Sequence, residues 1–132
     1  MRYLLVLGLL VSSCGGQLLE PGEYEVSSFF VQDDYLGNTG EEVITIWAIE
    51  EKDEGYTVTV MGVVKDAQGS VLDGHISIVK EVDSLCDKKT TFVADITPHE
   101  DSNTRFTGTS SLEINSCDSS LLTRSHVIGQ IK

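Results

Sequence analysis

Histidines, cysteines and paired acids are the side chains here with the most chemistry to offer. His75, His99 and His126 are scattered, whereas zinc ligands recur at short fixed spacings, so they read as three unrelated histidines. Asp33, Asp34 and Asn38 place hard oxygen donors in one loop, the type calcium takes, but without the EF-hand pattern. Such a loop reads first as solvated acids. No serine sits in Gly-x-Ser-x-Gly, and Gly108-Thr109-Ser110-Ser111 runs on as a strand instead of forming a nucleophile elbow. Cys86 and Cys117 lie in no CxxC and have no histidine close by in sequence, so neither a metal pair nor a catalytic thiol is indicated. No catalytic, cofactor-binding or metal-ligating set is assigned, and the chain reads as not an enzyme.

The third cysteine has a different setting. Arg2 is followed by an apolar run over residues 3–11 and then by Ser12-Ser13-Cys14-Gly15-Gly16. A positive start, an apolar stretch and small residues form the order of a secretory signal peptide. The run is far below the roughly 20 residues of a membrane-spanning helix. Val11-Ser12-Ser13-Cys14 resembles the lipobox of bacterial lipoproteins, with Val11 where Leu is commonest and Ser13 where Gly or Ala is commonest. The resemblance covers the first fourteen residues. It implies cleavage before Cys14, diacylglycerol on the Cys14 sulfur and further acylation of the new amine. Two or three acyl chains anchor stably where one does not, each buried CH₂ contributing about 0.8 kcal/mol. An ordinary signal peptide with a chance cysteine is the second reading. Residues 14–20 then form a lipidated tether. Gly15 follows the cysteine where Asp often retains such lipoproteins at the inner membrane, so the resemblance leans towards the outer membrane of a Gram-negative envelope.

Removal of residues 1–13 leaves 119 of the 132 residues, and residues 21–132 read as a single β domain. Arg2 leaves with the leader, so the mature chain carries 8 basic against 21 acidic residues, net −13. That balance repels phosphate backbones and disfavours nucleic acid. The acids are dispersed, as on a solvated face; the functional reading of the charge is a basic protein partner. With Cys14 lipidated, an exported chain keeps an even remainder, which suggests a Cys86–Cys117 disulfide.

The rest of the chain alternates apolar and polar residues between turn formers, with no amphipathic helix. Strands are expected at residues 22–31, 43–49, 56–64, 76–79, 90–96, 105–115 and 121–131, seven in all. Residues 32–42, 50–55 and 66–70 read as connections, and Pro98 ends the fifth strand. Gly62 and Gly108, inside strands, mark bulges or bends. Short connections favour an antiparallel meander, closed as a small up-and-down barrel or left as a partly open barrel or sandwich. In such a meander the turns holding Cys86 and Cys117 fall at one end.

Pro21-Gly22-Glu23-Tyr24 is similar to the glycine-aromatic start of the first strand in lipocalin-like calycin barrels, with Tyr24 in place of Trp. The resemblance implies an eight-stranded barrel. Tyr24, Trp47, Tyr56 and the Phe29-Phe30 pair either fill a core or line a cavity. One of Phe29 and Phe30 must face away from the other, and Trp47 lies opposite Ile44 and Ile46. Three functions fit: a non-enzymatic, membrane-anchored envelope lipoprotein with an interaction domain, a lipocalin-like carrier of a small apolar ligand, or an acidic inhibitor of a basic enzyme such as lysozyme.

Overall fold

The computed structural model describes residues 18–34, 37, 39–83, 88–116 and 119–132. Eight strands follow one another: β1 (Gly22–Asp33), β2 (Glu42–Lys52), β3 (Gly55–Val60), β4 (Val64–Leu72), β5 (His75–Asp83), β6 (Lys89–His99), β7 (Ser102–Asn115) and β8 (Ser120–Ile131). Each pairs antiparallel with the next, and β8 returns to β1, so the meander closes into a barrel. Closure leaves no free sheet edge. The β1–β8 register runs from Tyr24↔Ile131 to Asp33↔Thr123, broken by one bulge at Val31.

The period-two pattern explains which side fills. Tyr24, Val26, Trp47, Ile49, Tyr56, Val58, Val60, Ile76, Ile78, Ile96, Phe106 and Val127 all point inward and are buried. Outward positions on the same strands carry Glu23, Glu25, Lys65, Glu81, Asp95, Arg105 and Arg124, most of them exposed. The outer face is mixed, with Phe29, Ile44, Val79, Val93 and Ile128 exposed among these charges. Trp47 takes the inner face, at 2% exposure, while Ile44 stands outside at 57%. Phe30 alternates with Ser28 towards the interior, and Phe29 faces out.

The strand count differs from the seven expected. Residues 66–70, Asp-Ala-Gln-Gly-Ser, have the composition of a turn but lie in β4. Their small residues are there for packing: Ala67 and Gly69 face inward, and Tyr56 lies against Gly69. The true connections flank them. Gly62, φ 79°, lies in the β3–β4 turn at 61–63, not within a strand. Asp73 and Gly74, φ 48° and 84°, form a two-residue link between the paired Leu72 and His75. Two consecutive positive φ values are what a type I′ hairpin demands, and Asp-Gly suits it. His99 likewise closes β6 and is not in a loop, because β6 continues through Pro98, opposite Phe106.

Gly108 is a close approach. A Cβ there would strike the Asp95 carbonyl oxygen on β6. Gly129 serves the core in the same way, since the Phe106 ring lies over its Cα. That ring stands 5.4 Å from Tyr24 and 5.6 Å from Trp47, and Trp47 meets Phe92 edge-on at 6.0 Å. Aromatic pairs at such separations contribute about 0.5–1.5 kcal/mol beyond area burial.

Candidate functional site

The two ends of the barrel are finished differently. At one end lie the start of β1, the Asp53-Glu54 and Asp73-Gly74 turns, and the link from β6 to β7. The chain before β1 crosses this end. Leu19 is fully buried. Its backbone N–H donates to the Tyr56 hydroxyl at 3.0 Å, and that hydroxyl donates to the Leu19 carbonyl at 3.1 Å. The Tyr24 hydroxyl donates to the Glu20 carbonyl at 2.6 Å and lies 3.2 Å from the Asn103 carbonyl. The Glu20 amide donates to Asn103 as well, at 2.8 Å. Two buried phenols thus satisfy a segment that has no strand partner of its own. Burial, with the Glu20 charge and Tyr56 adding to it, pushes the Tyr24 pKa up to about 12.

The opposite end is not filled in this way. Its inward positions include Phe30, Val43, Thr45, Lys80, Thr90, Leu112, Ile114, Leu121 and Thr123, and all are only half-buried although they face the barrel axis. Below them the lining is small: Ser28, Ala94, Ser110 and Ser125. The Ser110 and Ser125 hydroxyls bond each other at 2.9 Å. Phe92 and Trp47, almost fully buried, form the floor, with the Trp47 indole N–H donating to Thr45 at 3.2 Å. The candidate site is this end of the barrel, a cup with Trp47 and Phe92 at its base and hydroxyls on β1, β2, β6, β7 and β8 among the apolar side chains.

One charge breaks the apolar lining of β5. Lys80 follows Ile76 and Ile78 on the inward side, opposite Phe92. It makes no ion pair among the described residues. Sequence reading missed it, because a lysine in a strand is normally assigned to the solvent side; the alternation with Ile76 and Ile78 was the available signal. Asp33, on β1, accepts from the hydroxyl of its β8 register partner Thr123 at 3.4 Å.

The residues singled out from sequence are dispersed. Cys14, Cys86, Cys117 and Asn38 lie outside the described residues. The strands flanking the two later cysteines do converge: Lys89 pairs with Asn115, so the β5–β6 and β7–β8 connections leave the barrel at the open end on neighbouring hairpins. Asp34 accepts the Leu122 amide at 3.1 Å, which ties β1 to β8. His75 meets Asp95 at 2.8 Å on the outer surface. His126 faces outward beside Arg124 in a shallow groove of about 490 Å³ with Val31 and Val93. His99 accepts the Asp101 amide at 3.3 Å at the sealed end. Among the described residues no three of His, Cys, Asp or Glu gather to hold a metal. Comparison of the chain with known protein families, characterised proteins and solved structures finds no match.

Proposed function

We propose that this chain is a non-enzymatic envelope lipoprotein, anchored through acylated Cys14, whose β-barrel binds a small ligand in its open end. The observation that carries the reading is the asymmetry of the barrel. One end is stoppered by Leu19 under two tyrosines, and the other keeps inward side chains half-exposed above a Trp47–Phe92 floor. Side chains that face a barrel axis without being covered cost hydrophobic free energy, which a ligand recovers. The Val11-Ser12-Ser13-Cys14 pattern supports the anchor and the exported setting. The charged outer surface suits a domain held in water beside the bilayer instead of within it.

Mass spectrometry of the full chain produced in a bacterial host tests both parts. Intact mass should show loss of residues 1–13 and a gain of acyl chains, both abolished by Cys14→Ser. Native spectra should show a small molecule retained by the wild type. Ser125→Trp, which puts an indole into the cup, should shed it. An unlipidated chain cut elsewhere would overturn the anchor, and equal occupancy of wild type and Ser125→Trp would overturn the cup as the binding site.

A further inference from the structure

We infer that the outer face along the β1–β8 seam is a docking surface for a second copy of this chain, the two barrels meeting as a two-fold dimer. The two sides of the seam differ in charge. Outward positions of β1 and β2 carry Glu23, Glu25, Glu42 and Glu50. Outward positions of β7 and β8 carry Arg105, Arg124 and His126, with Glu113 as the acid among the described residues there. Arg105 and Arg124 are all the arginines of the chain once Arg2 is set aside. Between the two flanks stand Ile44, Ile128 and Phe29, which are 57%, 51% and 37% exposed. Ile44, Ser27 and Ile128 lie in one register row across β2, β1 and β8, and Phe29 lies in the next row between Glu42 and His126. A single apolar residue on a surface is ordinary, but adjoining large ones mark a contact.

Charge decides the occupant. A uniformly basic partner would meet Arg105 and Arg124, and an acidic one would meet Glu25 and Glu42. A second copy offers both signs in reversed order. A two-fold axis laid along the seam brings β1 of one copy over β8 of the other, and β2 over β7. Ile128 then comes over Ser27 of the other copy, a large side chain over a small one, and the contact occurs twice. Glu25 comes beside Arg105 of the other copy, although the two are separated by Gln130 within one barrel, and Glu42 comes beside His126. None of Glu25, Glu42, Arg105 and Arg124 makes an ion pair among the described residues, so both flanks keep charge to share. The mature chain, with 8 basic and 21 acidic residues, repels its like at long range. That field is screened within about 8 Å at physiological salt, whereas charges in contact are screened far less. Two convex barrels touch along a strip, so the interface belongs with the weak ones, below roughly 1,200 Å². An axis along the strands leaves both sealed ends on one side. Under the Cys14 anchor the two copies therefore meet in one bilayer, which raises their effective concentration.

Cross-linking in the membranes of a bacterial host tests the pairing. The full-length chain carrying Ser27→Cys is oxidised mildly and run on a gel without reductant. Ser27 lies beside the proposed axis, so the two introduced thiols approach each other and a covalent dimer should form. Gln68→Cys, exposed on β4 away from the seam, should give none. Added to Ser27→Cys, either Glu25→Arg or Arg105→Glu should lower the dimer yield by on the order of tenfold, because each reversal sets like charges together in both halves of the contact. Ile128→Gln should lower it as well. Produced in one cell, the Glu25→Arg and Arg105→Glu chains should pair with one another and recover the original yield, since each offers the charge that the other lacks. That recovery also controls for misfolding, because an unfolded chain would not be rescued by its counterpart. Equal cross-linking through Ser27→Cys and Gln68→Cys, single reversals without effect, or no recovery in the mixture would overturn the two-fold pairing. Lipidation is read separately from intact mass, so a chain that cross-links without acyl groups overturns the anchor and leaves the pairing standing.

Discussion

The proton on the Tyr24 hydroxyl is hard to remove, and stability should depend on it. The ring is buried, Glu20 lies nearby, and the pKa rises from 10.0 to about 12. The folded barrel therefore holds this proton more tightly than the unfolded chain does. Its contribution is fully present below pH 10 and is lost as pH climbs towards 12. Thermal melts across that window should show a falling midpoint in the wild type and a shallower fall in Tyr24→Phe. At neutral pH the Phe variant should lose about 1–2 kcal/mol, because the Glu20 and Asn103 carbonyls lose their donor. A variant as stable as wild type, with an unchanged alkaline limb, would contradict this account. The role is invisible in the sequence, where Tyr24 is one aromatic in a strand; only the crossing of residues 18–20 beneath it gives its hydroxyl something to bind.

Strands and turns were legible wherever one face was uniformly apolar. Tyr56, Val58 and Val60 alternate without interruption, and β3 lies where that pattern puts it. Residues 66–70 have the composition of a turn yet lie in β4, where Tyr56 and Ile76 crowd the inward Gly69. Asp73-Gly74, which supplies both positive φ values, makes the actual hairpin link after these turn-like residues. Hairpins β5–β6 and β7–β8 also frame the cysteines. With Lys89 opposite Asn115, a Cys86–Cys117 bridge would join the ends of adjacent hairpins. On the loop-entropy account it stabilises by about 3–4 kcal/mol. Denatured protein should then yield no free thiol from this pair before reduction. Dithiothreitol should lower the chemical-denaturation midpoint of the wild type but not that of Cys86→Ser/Cys117→Ser. Two titratable thiols in the oxidised, denatured protein would rule the bridge out.

At the scale of the molecule, the stopper and the proposed anchor fix an orientation. Leu18 packs at the sealed end, beside Pro98 and Asn103. Cys14 precedes it by so little chain that the link spans at most roughly 14 Å when extended. An acylated Cys14 would hold the sealed end at the bilayer and turn the cup away from it. In lipidated protein on vesicles, a spin label on the headgroup should broaden amide signals of Gly74 and Asp101 more than those of Gly40 and Met61. The reverse order would refute the orientation. A cup facing away from its own membrane can receive a ligand from the aqueous side, which suits a carrier or a sensor better than a lipid-extracting protein.

The sequence by itself determined the all-β class, the antiparallel meander, most strand positions and the excess of acid over base. These follow from local alternation, turn chemistry and composition, which need no knowledge of distant residues. It also offered a seven- or eight-stranded sheet, open or closed, with Trp47 on either face. Those choices were settled by the tertiary structure. Closure depends on the β1–β8 register between residues some hundred positions apart, and the inner face is the one the closed sheet must fill. The stopper of Leu19, the close approaches at Gly108 and Gly129, and the inward turn of Lys80 arise only once the strands curl on one another. Side-chain direction along a strand repeats every second residue, so the pattern fixes which residues share a face; only a neighbouring strand decides whether that face looks inward or out.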